Sequence, residues 1–249
     1  MMVERYTRNL GLPGWTPETQ RRLAAARVLV VGAGGLGSAV LPYLVAAGVG
    51  RTGIVEDDTV EITNLQRQVL YNTPDVGTPK AEAAARHLAA LNPEVTVTPH
   101  HTRLAPENAA AILAAYDLVV DCTDNLATRQ LINRTCLELS KPWIHAAVSE
   151  YYGHITTLRP AGPCWHCLFG PETAAEPPPS GILGPVAGLI GCLQAVEALK
   201  YLTGTGRLLV GKLLVWDALR PGWEEFSYRK NPDCAVCGNR NIPVPPAAD

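Results

Sequence analysis

Gly32-Ala33-Gly34-Gly35-Leu36-Gly37 stands between an apolar run at 28–31 and a helical pattern reaching about residue 47. A loop of this kind turns tightly and aims backbone amides at a phosphate over the helix N-terminus. Glu56 closes the next apolar run, 52–56, where a carboxylate can hold ribose hydroxyls. The glycine pattern alone is weak evidence, because glycines also let a helix pack closely on a strand. With strand, helix and acid in register, it reads as a nucleotide site.

The residues that follow favour ATP over NAD. Asn64, Arg67, Gln68 and Lys80 crowd just past the second strand, a concentration of cations and amides that suits a triphosphate and that hydride transfer does not need. The loop is no P-loop, since Ser38 follows Gly37 where lysine would have to stand, so a phosphate-clamping lysine must come from elsewhere. Asp124 and Asn125 follow the apolar run 118–121, at the carboxyl end of a strand, where a magnesium-binding carboxylate would face the ligand crevice.

Four of the seven cysteines form two C-x-x-C pairs, Cys164-Trp165-His166-Cys167 and Cys234-Ala235-Val236-Cys237. Two such pairs can chelate one tetrahedral zinc, whereas a redox dithiol needs only one. His166 is expected at the surface and not as a ligand. Cys122 and Cys136 read as small hydrophobes. Cys192 shares a helical face with Val196 and Leu199, the pattern of a core residue.

These groups need a scaffold. Strand signals at 28–31, 52–56, 95–98, 118–121 and 143–146 alternate with helical ones at 79–91, 107–115 and 126–139, which predicts the α/β class with a doubly wound, mostly parallel sheet. A polar, partly helical stretch covers 64–71, and Thr78-Pro79 opens the helix that carries Lys80. Beyond residue 151 come extended segments, a proline-rich loop at 177–179, a helix near 189–202, and strands at 208–216 and 224–229. This portion reads as an antiparallel extension of the same unit. The expected layout is one unit over 1–240, with a nucleotide half at 26–150, a second half at 151–240, and a disordered tail at 241–249. A net charge of -2 with scattered lysine and arginine provides no field for nucleic acid. No apolar run is seen to approach the roughly 18 residues of a membrane span, and no secretion signal opens the chain, so a cytoplasmic protein is expected.

Four motifs taken together, Gly32 to Gly37, Asn64-Leu65-Gln66-Arg67-Gln68, Gly77-Thr78-Pro79-Lys80 and Asp121-Cys122-Thr123-Asp124-Asn125, resemble the ThiF/MoeB/HesA family, bacterial relatives of ubiquitin-activating enzymes. The resemblance runs from Arg5-Tyr6-Thr7-Arg8 to Cys237. It implies a Rossmann-like fold that adenylates the C-terminal glycine of a ubiquitin-fold sulfur carrier ending in Gly-Gly, using ATP and Mg2+ and releasing pyrophosphate. Carried over, Gly35 and Glu56 hold the nucleotide, Asn64, Arg67 and Lys80 meet ribose and phosphates, and Asp124 binds magnesium. Gly32, Gly34, Gly37, Asp58, Thr63, Leu65, Gln66, Gln68 and Asn125 complete the expected nucleotide contacts. The four knuckle cysteines correspond to the family's zinc ligands, and Arg8 to an arginine that reaches the ATP of the other subunit of a homodimer. Glu56 departs from the family's usual aspartate by one methylene, a change expected to be tolerated.

Many relatives carry a loop cysteine that forms a covalent carrier adduct; its place here falls near Pro177, and no cysteine lies between Cys167 and Cys192. Direct hand-over of the acyl-adenylate to a sulfur donor is then expected. Some relatives end in a fused rhodanese domain, for which the residues after Cys237 leave no room, so the donor should be a separate cysteine desulfurase or rhodanese. The pathway, whether molybdopterin, thiamin or tRNA thiolation, stays open. Three rival readings remain. An NAD-dependent oxidoreductase is disfavoured by Arg67 and Lys80. A non-catalytic carrier-binding subunit is disfavoured by the joint presence of Asn64, Arg67, Lys80 and Asp124. A tRNA threonylcarbamoyladenosine dehydratase is disfavoured by the paired knuckles.

Overall fold

The computed structural model describes residues 2–170 and 181–238. The expected Pro177 loop and the expected disordered tail lie outside them. Among the described residues, eight strands form one sheet in the order β3-β2-β1-β4-β5-β6-β7-β8. The strands are β1 (Arg27–Val31), β2 (Arg51–Val55), β3 (Thr96–His100), β4 (Leu118–Asp121), β5 (Trp143–Ser149), β6 (Tyr152–Leu158), β7 (Lys212–Asp217) and β8 (Trp223–Ser227). β1 to β5 run parallel and β6 to β8 antiparallel, as the sequence predicts. The helices are α1 (Met2–Arg5), α2 (Thr7–Leu10), α3 (Pro17–Ala25), α4 (Gly37–Ala46), α5 (Lys80–Leu91), α6 (Pro106–Ala114), α7 (Leu126–Glu138), α8 (Trp165–Phe169) and α9 (Gly184–Thr203).

Alternation along β1 builds two cores. Val28 and Val30 face one side and pack with α3, α4, α5 and α9, while Leu29 and Val31 face the other and pack with Leu113 of α6 and Ile132 of α7. A strand clothed on both faces must be apolar throughout, and Val28 to Val31 are fully or almost fully buried. Order reverses between β1 and β4, so the glycine loop after β1 and the turn after β4 emerge side by side, where doubly wound sheets bind ligands.

The structure departs from the sequence-based expectations at three places. The N-terminal helices α1 to α3 were not foreseen: the first two are single turns without periodicity, held by long-range contacts. Tyr6 is buried, and its hydroxyl donates to Glu94 at 3.2 Å and accepts from Asn92 Nδ2 at 2.9 Å. Second, α9 opens at Gly184, not near 189, with Pro185 in its first turn, a place proline favours. Third, α9 overturns the expectation that no segment is apolar enough for a membrane. Its length and mean hydropathy of 1.2 pass that test. It is the sheet's core helix instead, with Gln194 and Glu197 buried in hydrogen bonds to the strands. Gln194 Nε2 donates to the Asp121 carbonyl at 2.7 Å, and Glu197 Oε2 accepts from the Thr157 hydroxyl at 2.5 Å.

Asn92 holds the N-terminal segment to the sheet. It is fully buried, its Nδ2 also donates to the Val45 carbonyl at 2.8 Å, and its Oδ1 accepts from the Glu94 amide at 3.2 Å. Asn92→Ala leaves these groups unpaired, and buried unpaired groups cost about 1–3 kcal/mol. Urea unfolding should show a loss of that size, with the segment bearing Arg8 becoming sensitive to protease in native buffer.

Candidate nucleotide cleft and cysteine cluster

The glycine loop has backbone conformations and contacts that exclude side chains. Gly32 has φ +95°, and a Cβ there would lie 2.6 Å from the Cys122 carbonyl oxygen; one on Gly37 would lie 2.3 Å from the Gly32 oxygen. The loop is therefore wedged between β1 and the backbone that follows β4. Glu56 ties it from the side: Oε2 accepts from the Ala33 amide at 2.9 Å, and Oε1 from the Asp58 amide at 3.0 Å. Tyr71, buried, donates its hydroxyl to the Ala33 carbonyl at 2.8 Å. Burial, together with Glu56, Asp75 and Asp58 nearby, pushes that phenol well above its ordinary range.

The second group of expected residues lies against this loop. Asn64 is buried at the end of a 3-10 turn, Ile62–Asn64, where Oδ1 accepts from the Glu61 amide at 3.0 Å. Arg67, half-buried, donates to the Thr63 carbonyl at 3.2 Å, and its Cγ is 3.7 Å from where a Gly35 Cβ would be. Thr63 and Gln66 are exposed and Leu65 is half-buried. Gln68 is buried beside Gly34, with its Nε2 3.6 Å from where a Cβ would stand. Among the described residues its Oε1 has no partner, and neither does the buried Ser38 hydroxyl in the first turn of α4. Orphaned polar atoms beside a bare glycine loop fit a site that takes a polar ligand. Lys80, 4% exposed, pairs its Nζ with Asp58 at 2.8 Å while its amide donates to the Asp58 carbonyl. Residue 80 is the first of α5, so the turn before the helix aims its ammonium at the acidic run. Glu56, Asp57 and Asp58 bring carboxylate oxygens within 4.8 Å of one another and could hold a cation.

Across the cleft, Asp124 is exposed, and Asn125 caps α7 by accepting from the Thr128 amide at 3.0 Å. The Asn125 oxygen is thus occupied by the helix. Arg8 is exposed on α2, in the segment that Tyr6 anchors against Gly48 and Asn92. These residues precede β2 and β3 at the amino ends of the strands, whereas the glycine loop is at the carboxyl ends. The segment that bears Arg8 is thus held at the amino ends of the strands, away from its own glycine loop.

The four knuckle cysteines converge. Sγ atoms are 3.9 Å apart for Cys164 and Cys167, 3.8 Å for Cys164 and Cys234, and 3.4 Å for Cys167 and Cys237. All four lie within 4.8 Å of one another and could hold a metal ion. Tetrahedral zinc with bonds of about 2.3 Å spaces its thiolates by just such distances. His166 is half-buried and outside the cluster. Cys122 and Cys136 are buried, their thiols pushed far up by burial, as expected of small hydrophobes. Cys192 corrects its expectation: it is half-buried and Val196, one turn on, is 49% exposed. The buried face of α9 runs through Ala187, Ile190, Gly191, Gln194 and Ala198, because the helix packs on the sheet and on α4 together. Burial still raises the Cys192 thiol, the wrong direction for a nucleophile.

A buried polar chain between cleft and cluster escaped the sequence reading. Asp121 Oδ2 meets His145 Nδ1 at 2.8 Å, and His145 Nε2 accepts from Trp165 Nε1 at 3.2 Å. His154 Nε2 approaches His145 Nε2 at 3.4 Å. Desolvation, then the neighbouring His145 and Arg129, hold His154 at about 3. Desolvation lowers His145 as well, with Asp121 opposing it.

A doubly wound sheet with a glycine loop at its switch point, extended by antiparallel strands that carry a four-cysteine cluster, defines the class. The chain belongs to the ThiF family, which it matches over residues 6–236. It is 48% identical to the sulfur carrier protein adenylyltransferase of Thermus thermophilus, over 95% of this chain and 91% of that one. It is 45% identical to the SAMP-activating enzyme E1 of Haloferax volcanii, over 96% of this chain and 90% of that one. Among solved structures it resembles E. coli MccB with ATP, with TM-score 0.85 and 25% identity, covering 94% of this chain and 75% of MccB.

His154 gives a signed pH prediction. Its folded pKa of about 3 lies below the 6.5 of the unfolded chain, so between those values the unfolded state binds a proton that the folded state refuses. Stability therefore falls as pH drops through that window, by about 1.4 kcal/mol per unit for one histidine. Urea unfolding of His154→Phe at several pH values should show a slope between pH 6 and 4 shallower by that amount.

Proposed function

We propose that this chain uses ATP to adenylate the C-terminal glycine of a ubiquitin-fold sulfur carrier ending in Gly-Gly, in keeping with a relative named sulfur carrier protein adenylyltransferase. The observation that carries the reading is the meeting, at one switch point, of a glycine loop without its own lysine and the buried Lys80 with Arg67 beside it. A loop that presents only backbone needs its cations from neighbouring elements, and here they come from α5 and the 62–71 turns.

The nucleophile is the carrier's terminal carboxylate, ionised at neutral pH because its ordinary pKa is about 3.5. No general base is required. The barrier is repulsion between that anion and the α-phosphate, together with charge growing on departing pyrophosphate. Lys80 and Arg67 supply compensating charge from fixed positions, which is how phosphoryl and nucleotidyl transfers are accelerated. Amides from Gly32 to Gly37 orient the phosphates, Asn64 and Gln68 present amide groups to the nucleotide, and Glu56, set by Ala33 and Asp58, faces the ribose with its remaining lone pairs. Asp58, Thr63, Leu65, Gln66 and Asn125 line the same crevice. Asp124, exposed across the cleft, would hold Mg2+, which neutralises the polyphosphate. Arg8 lies in a segment held at the amino ends of the strands, whereas the glycine loop lies at their carboxyl ends, and this separation supports a homodimer in which it completes the partner's cleft.

Cys164, Cys167, Cys234 and Cys237 would hold one structural Zn2+, clamping the C-terminal strands to α8 and contributing on the order of 10 kcal/mol to folding. The proposed carrier-binding half, 151–240, offers an exposed edge strand for the carrier. Sulfur then comes from a separate donor, a cysteine desulfurase or a rhodanese, to which the acyl-adenylate is handed directly, the donor's sulfur bonding to the carrier's acyl carbon as AMP leaves.

Lys80→Ala and Arg67→Ala should each abolish carrier-dependent ATP–pyrophosphate exchange while circular dichroism stays native. Near-normal exchange in either would remove these residues from the cleft. Metal analysis should find one zinc per chain, and Cys237→Ser should lose that zinc and at least 10 °C of thermal midpoint. Full stability in a zinc-free protein would contradict the cluster's role.

A further inference from the structure

The chain Trp165–His145–Asp121 has a fixed direction. An indole nitrogen only donates, so Trp165 Nε1, 3.2 Å from His145 Nε2, requires that nitrogen to be unprotonated. The imidazole proton therefore sits on Nδ1 and is donated to Asp121 Oδ2 at 2.8 Å. The other Asp121 oxygen accepts from the Thr123 amide at 3.1 Å and from its hydroxyl at 2.7 Å. Asp121 and His145 are each 1% exposed and Trp165 4%. Asp121 is held below the usual carboxylate range against its desolvation, chiefly by the bond from His145, so it is the anion that anchors the chain.

Both ends of this chain meet features already described. Trp165 stands between Cys164 and Cys167, so the first knuckle dictates where its indole points. It is fixed further by its own amide, which donates to Asn133 Oδ1 at 3.0 Å, and by the ring of Phe169 at 4.8 Å. At the other end, Thr123 begins the turn that leads to Asp124, and its amide nitrogen and the Cys122 carbonyl are the backbone against which Gly32 is wedged.

We infer that Trp165, His145 and Asp121 are positioning residues through which the first cysteine knuckle sets the turn at 123–125 and the floor of the glycine loop, and hence the affinity for Mg-ATP. The inference rests on the reading of that cleft as the nucleotide site. All three side chains are buried, so they act through the turn that they hold. In this account the cysteine cluster does more than staple the C-terminal strands: by fixing one indole, it fixes the tautomer of His145 and the rotamer of Asp121. A chain of hydrogen bonds in a water-free interior transmits such a constraint because a reversed link leaves a donor facing a donor.

The test uses the full-length, zinc-loaded protein. Trp165→Phe should keep its zinc by metal analysis and its native circular dichroism, yet bind Mg-ATP about tenfold more weakly by calorimetry, the scale of one lost buried hydrogen bond. Asp121→Asn should weaken binding at least as much: with the amide oxygen kept toward the two Thr123 donors, the amide nitrogen donates to Nδ1, which selects the Nε2–H tautomer and points that proton at the indole N–H. In the double variant that clash is absent, so the two losses should be less than additive. Additive losses, or wild-type affinity in Trp165→Phe, overturn the relay. Should Asp121→Asn not fold, 15N spectra of histidine-labelled wild-type protein decide its direction: His145 must carry its proton on Nδ1, and an Nε2–H tautomer overturns the proposal. A wild-type protein that binds no Mg-ATP removes the nucleotide reading and the inference with it, an outcome distinct from a relay that fails in a protein that binds normally.

Discussion

The structure depends on one close approach. At the switch point, the Gly32 backbone presses on the Cys122 carbonyl so tightly that a single added carbon would stand 2.6 Å from it. This contact fixes the distance between the loop after β1 and the turn after β4, the two walls of the crevice. The buried valines of β1 and β4 bring the strands into register, Tyr71 and Glu56 hold the loop from the outer side, and Asp121 holds the turn from below. A site that lacks a P-loop lysine has no flexible arm with which to correct a misplaced phosphate, so its precision must come from the backbone.

Much of this was legible in residue order. The parallel strands declared themselves as short apolar runs, and the positions of Gly32 to Gly37, Lys80 and Asp124 followed from the strand ends and helix starts that flank them. The two C-x-x-C pairs announced a shared cluster across 66 intervening residues (168–233). The N-terminal helices were not legible, because single turns carry no periodicity and are held by contacts to residues some 90 positions away. Cys192 was misjudged for a related reason. Spacing identified a helical face with Val196 and Leu199, but only the packing against both the sheet and α4 decides which face is inside. The polar chain from Asp121 to Trp165 was invisible, since its members come from two strands and a knuckle and have no common spacing.

The two halves of the sheet divide the work along lines that sequence separation conceals. The parallel strands build the proposed nucleotide crevice out of loops and helix starts. The antiparallel strands carry the cysteine cluster and bring it back against α7 and α8, so that a site assembled from residues 164–237 packs beneath elements of the first half. Glu56 fits this picture: one carboxylate oxygen holds the loop amide of Ala33 and the other the amide of Asp58, so a single acid braces the glycine loop.

The central event is the transfer of AMP to a carrier's C-terminal glycine. Candidate ubiquitin-fold carriers ending in Gly-Gly, incubated with this protein and Mg-ATP and analysed by intact mass, should yield one that gains a single adenylate, with pyrophosphate released in equal amount. Binding of Mg-ATP with no carrier gaining that mass, or mass gain by a carrier whose terminal glycine has been removed, would contradict it.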